Sequence, residues 1–253
     1  MASYDIIGSI AIIKGEGKTK QQKLQQAEEL LKKPSINTVV EKATEIKGRL
    51  RTFKTKYIAG EKTLETFHKE NNCIFKLNVE TCYFSPRQVN DRKDLAEKIK
   101  KSDKVLIMFS GIGCYPTVIY KKAKPKKITT IEISRACNDY AKINRSLNKI
   151  PEDKIEIIQG DVKKKMPKEK FDVIIMVRPN LKTTFLKQAL SCAKKGTKIF
   201  YQGFSKESDL PKMIRQLEEE AIQNKKKLII KDIKKSGDIA PYKFRYRIEI
   251  LVA

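Results

Sequence analysis

Imidazole is almost missing from this chain: His68 is the single histidine among 253 residues, and the five cysteines (Cys73, Cys82, Cys114, Cys137, Cys192) are scattered, with no C-x-x-C pair. That scarcity argues against a zinc site, and an odd number of isolated thiols points to a reduced compartment. No apolar stretch reaches the roughly 18 residues a spanning helix needs, and no signal-like segment opens the chain. A cytoplasmic protein without membrane contact is therefore expected. Internal repeats and long linkers are also lacking. Acid is in short supply, with 30 Asp+Glu against 55 Lys+Arg and a formal charge of +25. Such an excess fits a polyanionic partner. A lysine-rich source organism would leave the same imprint, so charge alone leaves both readings open.

What is present falls into two textures. From Tyr4 to about Ile13 the sequence is apolar and β-rich, and "GEGKTKQQKLQQAEELLKK" reads as a turn into a charged amphipathic helix that Pro34 stops. Short alternating segments follow, punctuated by Gly48, Gly60 and Asn71-Asn72, an α+β module. "NDRKDLAEKIKK" is expected to be a helix to about Lys101. Beyond Asp103 strand, turn and helix alternate: "KVLIMFS", "YPTVIYKKA", "KITTIEI", "RACNDYAKINRSLNKI", "KIEIIQGD", "FDVIIMV", then "TTFLKQALSCAKKG" as a helix ended by Gly196. This predicts an α/β fold: a doubly wound, Rossmann-like parallel sheet over residues 93–253, after a small α+β domain over 1–92. Two last apolar runs, "KLIIKDIKKS" and "FRYRIEILVA", are expected to close the sheet as a hairpin-like pair.

In such a sheet the ligand sits beyond the carboxyl ends of the strands, at the first strand-to-helix turn, here Ser110-Gly111-Ile112-Gly113. Glycine allows positive φ and close approach of a ligand to the backbone. A dinucleotide fold adds a third glycine, whereas this chain has Pro116, which removes an N–H from the anion-binding helix end and makes a phosphate ligand a poorer fit. Glu132 ends the second strand about twenty residues on, where an acid can accept ribose hydroxyls. Asp161 ends the third, within reach of an adenine amino group. Each acid alone reads as a helix cap or a solvated strand end. Together they fit a ribose and an adenine without a diphosphate, which describes S-adenosylmethionine better than NAD.

The pattern resembles class I adenosylmethionine-dependent methyltransferases. Over nearly the whole chain, through "SYDIIGSIAII", "GRLRTFKTKYIAGEKTLETFHKENNCIFKLNVETCYFSPRQVNDR", "MFSGIGCYP" and "IIMVRPNLKTTFLKQAL", it is similar to the archaeal-eukaryotic tRNA (guanine-N1-) methyltransferase family acting 3′ of the anticodon. In that family a small tRNA-recognising domain precedes this region, while this sequence begins at "MASYD". The family's Y-F-S-P-R-L-x-x-E-R motif corresponds to Tyr83 through Arg92. By that likeness Ser85 and Arg92 would contact the methionyl end of the cofactor, and Asp91 would stand as general base in place of a glutamate. Arg51 would hold the guanine O6. The remaining cofactor-binding set implied is Phe84, Phe109, Ser110, Gly111, Gly113, Glu132, Ile133, Gly160, Asp161 and Val162. After the fourth strand the chain has Arg178-Pro179-Asn180 where many relatives have Asn-Leu-Pro or Asn-Pro-Pro. This version resembles the wyosine-linked archaeal branch, and Arg178 and Pro179 join the catalytic candidates. As a plain structure, the same segment is an ordinary strand-ending turn.

The resemblance implies methyl transfer to N1 of the guanosine at position 37, with a tricyclic wyosine-type derivative as a further substrate. The partner implied is the tRNA anticodon stem-loop rather than DNA, bound by a monomer, with no metal required. The basic runs Lys121–Lys127, Val162–Lys170 and Arg49–Lys56 would clamp the RNA backbone. The competing readings are the sister aminocarboxypropyl transferase, which uses the same cofactor, and an RNA-binding protein without catalysis.

Overall fold

The computed structural model describes residues 4–46, 48–177 and 183–253. Strands β1 (Tyr4–Ile7) and β2 (Ile10–Ile13) pair antiparallel around Gly8, whose φ is +56°. Helix α1 (Lys20–Leu31) begins at Thr19 in a capping box: Thr19 Oγ1 accepts from Gln22 N–H, and Gln22 Oε1 accepts from Thr19 N–H. The helix delivers β3 (Thr38–Lys42) parallel to β2, and β4 (Thr55–Gly60) closes a sheet of order β1-β2-β3-β4.

A hairpin of β5 (Glu65–Glu70) and β6 (Cys73–Asn78) turns on Asn71 and Asn72, with φ of 47° and 57°. Asparagine tolerates the left-handed region that a tight hairpin requires. A short 3-10 turn (Pro86–Gln88) leads into α2 (Val89–Glu97), shorter than the expected helix to Lys101. The domain division expected after residue 92 falls inside α2.

The large sheet is built from β7 (Lys104–Met108), β8 (Lys127–Glu132), β9 (Ile155–Gln159), β10 (Phe171–Met176), β11 (Ala193–Lys206), β12 (Leu228–Ala240) and β13 (Lys243–Val252). Its order is β12-β13-β11-β10-β7-β8-β9. β11-β10-β7-β8-β9 are parallel neighbours, and β13 runs antiparallel to β11 and β12. The sheet is thus mixed, and the closing hairpin is where the two last apolar runs put it. The direction of winding reverses between β7 and β10, the switch point at which ligands bind in such folds.

Helices α3 (Cys114–Ala123), α4 (Arg135–Leu147), α5 (Leu186–Ser191) and α6 (Leu210–Gln223) connect the strands. The helix expected to reach Gly196 stops at Ser191. Gly196 lies inside β11 with φ +85°, where the register against β10 slips between the pairs Phe171–Ala193 and Val173–Lys198. A glycine that resembles a helix cap in sequence here relieves a bulge.

The hairpin and the large sheet share one core, in which Phe75, Leu77, Val105 and Ile107 are fully buried together with Ile10 of the small sheet. Asn144 on α4 and Asn148 at its C-cap act as a partner strand for β6. Asn148 accepts from Ile74 N–H and donates to its carbonyl (2.9 and 2.7 Å), and Asn144 does the same for Lys76 (2.7 and 3.1 Å). The backbone groups of the hairpin edge are thereby satisfied away from water. That fastening sets the position of Glu70, at the end of β5, relative to α2.

Candidate functional site

A cleft opens beyond the carboxyl end of β7. Its floor is the turn after Met108. Phe109 adopts φ +63°, Gly111 +56° and Gly113 +84°. A Cβ on Gly113 would come within 3.2 Å of the Ala141 Cβ, so this glycine lets α3 start against α4, while Gly111 meets only the Tyr83 carbonyl at 3.9 Å and is needed for its backbone angle. Gly111 donates its N–H to Glu132 Oε2 at 3.0 Å, and Ser134 N–H donates to Oε1 at 2.8 Å. Burial pushes the Glu132 carboxyl up from its ordinary value, with these amides acting in the opposite sense. Ser110 Oγ is buried with no hydrogen-bond partner. Its orphaned hydroxyl at the wall of the cleft is the kind of group a polar ligand satisfies.

Arg51, Phe84, Ser85, Arg92, Phe109, Ser110, Gly111, Glu132 and Ile133 all line the cleft. Segments far apart in sequence thus converge. Arg51, with φ +55°, lays its guanidinium over the Tyr83 ring, 4.1 Å from the centroid. Arg92 is 2 % exposed. It grips both oxygens of Glu70, Nη2 at 2.5 Å, and also donates to the Ser85 carbonyl. Burial opposes the Glu70 charge, yet His68 and Arg92 together hold its carboxyl below the ordinary value. Arg92 therefore faces the cleft with its charge already paired.

Gly113, Gly160, Asp161, Val162 and Asp91 do not line the cleft. Gly160 donates its N–H to the Glu132 carbonyl at 2.8 Å, and Val162 is buried in the core with Leu106, Met108 and Ile131. Asp161 accepts from Arg49 at 2.8 Å and from Lys163 N–H at 2.9 Å. These two donors, the backbone amide first, keep its carboxyl below the usual range. Arg49 itself lines the cleft, so the 48–51 turn of the small module is tied to the loop after β9. Arg178 and Pro179 lie outside the described residues.

Asp91 sits beneath the cleft, 6 % exposed, in a closed network. Its Oδ1 accepts from Arg247 Nη1 at 2.7 Å, and its Oδ2 accepts from the Tyr115 hydroxyl at 2.7 Å and from Gln202 Nε2 at 3.1 Å. Gln202 Nε2 also donates to the Tyr115 oxygen at 2.9 Å. The Gln88 amide oxygen accepts from both terminal nitrogens of Arg245, at 2.9 and 3.1 Å, which turns its nitrogen to Tyr115 at 3.3 Å. Burial, then the Asp91 charge, pushes the Tyr115 phenol well up, so it stays a donor to Asp91. Tyr115, Gln88 and Gln202 line the cleft, and Asp91 reaches it through them.

Beneath and beside the cleft lie three buried guanidiniums, Arg92, Arg245 and Arg247, against two buried carboxylates, Glu70 and Asp91. Asp94, half-buried, lies 3.7 Å from Arg247. Tyr83, Gln88, Tyr115, Gln202, Phe204 and the two arginines of β13 carry no site role in the sequence alone. Gln202 and the arginines lie on strands whose alternation marks them only as one face of a sheet, without a motif of their own. Among the described residues no cluster of His, Cys, Asp and Glu could hold a metal ion, and no helix is long and apolar enough to cross a membrane.

Comparison with known proteins bears on this arrangement. The profile described as the TRM5/TYW2 methyltransferase domain matches residues 66–229, and the one described as the TYW2 N-terminal domain matches residues 1–63. The chain is 37 % identical over 158 residues to the tRNA (guanine(37)-N(1))/4-demethylwyosine(37)-methyltransferase Taw22 of Nanoarchaeum equitans, covering 60 % of this chain and 50 % of Taw22. It is 28 % identical over 239 residues to the tRNA(Phe) (4-demethylwyosine(37)-C(7)) aminocarboxypropyltransferase of Methanocaldococcus jannaschii, covering 94 % and 93 % of the two chains. The crystal structure of Trm5b from Pyrococcus abyssi superposes with a TM-score of 0.86 at 31 % identity, covering 100 % of this chain and 75 % of that one. Against several archaeal methyltransferase relatives the chain spans only 50–61 % of their length. A mixed sheet with its glycine turn at the switch point, and a profile match over most of the chain, lead to one assignment: the chain belongs to the TRM5/TYW2 methyltransferase-domain family.

Proposed function

We propose that this protein transfers the methyl group of S-adenosylmethionine to N1 of guanosine 37, 3′ of the anticodon in tRNA, and takes a tricyclic wyosine-type guanosine as a second substrate. The observation that carries the reading is the cleft itself, with Glu132 at the end of β8 facing a glycine turn that lacks a third glycine. Glu132 retains oxygen lone-pair capacity beyond the backbone amides of Gly111, Ile133 and Ser134 that it accepts, available to a ribose hydroxyl. Ser110 Oγ offers the unpaired hydroxyl such a ligand would engage. When bound, the donor supplies an activated methyl group on a positively charged sulfur.

The chain's own task is to orient the guanine and hold its N1 proton. Positioning alone contributes about 7–11 kcal/mol in favourable cases. Asp91 is the proposed proton acceptor. Both its oxygens are engaged, so a proton would arrive through the Tyr115 hydroxyl, which borders the cleft: the phenol would pass its own proton to Oδ2 and take the one from N1 on the lone pair freed when the Gln88 contact at 3.3 Å opens. As N1 loses its proton, negative charge builds on the base, and the surplus of buried guanidinium beneath the cleft stabilises it. Arg51, stacked on Tyr83 at the cleft wall, is the proposed contact for O6. A guanosine stacked in an anticodon loop must be turned out to enter, at a few kcal/mol. The basic runs are proposed to offset that cost through phosphate contacts.

One observation favours a second reading, aminocarboxypropyl transfer from the same donor: the Methanocaldococcus relative of that activity matches this chain nearly end to end. Donor labelled in its methyl group, run in parallel with donor labelled in its carboxyl carbon, separates the two. Methyl label alone is expected on tRNA. Carboxyl label on tRNA would replace the methyl reading with its rival.

A further inference from the structure

The hairpin of β12 and β13 turns on Pro241-Tyr242, with Ala240 paired to Lys243. Proline fixes its own φ near −65°, which rules out the I′ and II′ turns that match the twist of a hairpin, since both need positive φ at the first central position. The turn closes instead with Tyr242 at φ +58°. Glycine or asparagine ordinarily occupies such a position, because a Cβ is strained there. Here a large aromatic takes the strain and gains no packing in return, being 80 % exposed. Strain that the fold does not use is a reason to look for a ligand.

The surroundings indicate which ligand. Lys206 pairs with Lys243 beside the turn, and the Lys235 ammonium sits 3.1 Å from the centroid of the Phe244 ring. Asp238 near the tip and Glu207, next to Lys206, are the acids of this region, outnumbered by these three cations. Ile239 adds exposed apolar surface. Phe204, which lines the cleft, pairs with Arg245 on β13. At ~3.3 Å per residue, Tyr242 lies about 10 Å further along that strand. That distance is about three base-stacking steps of ~3.4 Å. An exposed aromatic on a turn with basic residues on its flanking strands, a few nucleotides from a cleft that takes a turned-out base, has the chemistry by which single-stranded nucleic acid is held without reading its sequence.

We infer that Tyr242 is a stacking platform for an unpaired loop base a few nucleotides from the target, with Lys243 and Lys206 beside it on the RNA backbone. The inference rests on the tRNA reading above. Stacked on Tyr242, that base anchors the loop in an opened form, with the guanosine turned out into the cleft.

The test uses the full chain, a fluorescently labelled anticodon stem-loop RNA, and the variants Tyr242→Gly, Tyr242→Asn and Tyr242→Phe. Glycine and asparagine both accept the left-handed backbone, so these variants are expected to melt at or above the wild-type temperature. They are expected to bind the RNA about 5- to 150-fold more weakly, the range of one lost stacking contact. Tyr242→Phe keeps the ring and is expected within about twofold of wild type, and adenosylhomocysteine binding is expected to stay unchanged in all three. Wild-type RNA affinity in the glycine variant overturns the inference and leaves the methyltransferase reading standing. A drop in melting temperature for both glycine and asparagine overturns it too, since the ring would then be structural. Failure of the wild type to bind the RNA at all removes both.

Discussion

The ion pair beneath the cleft gives the sharpest stability test. Asp91 and Arg247 are each about 4 % exposed at the side chain and 2.7 Å apart. Asp91→Asn keeps the shape but leaves Arg247 a buried charge without its main counter-ion. Removing one partner of a buried pair typically costs about 3–5 kcal/mol. Asp94 remains 3.7 Å from Arg247, so the lower end, about 3 kcal/mol, is expected. For a chain of this size that corresponds to a melting temperature lower by about 6–12 °C. Calorimetry or urea unfolding reads the loss. The double variant Asp91→Asn/Arg247→Met removes both charges and is expected to regain most of the stability, because a neutral packed pair often equals a buried ionic one. Methyl transfer is expected to stay about 10²- to 10⁴-fold down in both variants, the usual share of a proton-accepting group. An Asp91→Asn protein within about 0.5 kcal/mol of wild type would refute the buried pair as a structural element. A double variant with wild-type turnover would refute Asp91 as proton acceptor.

Three further outcomes follow from the same geometry. Adenosylhomocysteine binding by calorimetry is expected to be abolished by Glu132→Ala. In the wild type it should be full at neutral pH and decline on acidification, because the ligand's hydroxyls favour the carboxylate whereas burial favours the neutral acid. The decline should be centred above the ordinary glutamate value, and a midpoint below it would contradict the burial of Glu132. Gly113→Ala places a Cβ at φ +84° against Ala141 and is expected to lower stability by about 1–3 kcal/mol, visible as a lower melting temperature. Asn144→Ala strips Lys76 of both its backbone partners and is expected to cost about 1–3 kcal/mol for each buried group left unpaired, with faster amide exchange along β6 as the second readout.

The glycine turn and Glu132 were legible because the backbone itself demands them: positive φ at positions 111 and 113, and an acid at the end of the next strand, are local requirements that spacing reveals. The strand-helix alternation was legible for the same reason. Gly196 misled because a glycine after a helix and a glycine in a bulged strand look alike in sequence, and only the slip against Phe171 distinguishes them. The motif from Tyr83 to Arg92 singled out Asp91 and Arg92, of which Arg92 lines the cleft and Asp91 lies beneath it, but could not say what each would face. That depends on Glu70, brought in by a hairpin fastened to α4, and on Arg247 from the last strand. Gln202, Arg245 and Arg247 belong to antiparallel β11 and β13, where charged side chains facing inward look no different from those facing solvent until the sheet is assembled. Tyr242 was invisible for a different reason, since its meaning lies in a backbone angle.

The most direct test of the central claim is nucleoside mass spectrometry of the anticodon loop after unmodified tRNA has been incubated with the protein and S-adenosylmethionine. Guanosine 37 converted to its N1-methyl form is the predicted product. Unmodified guanosine 37, or a methyl group found on another atom or another nucleotide, would contradict the account.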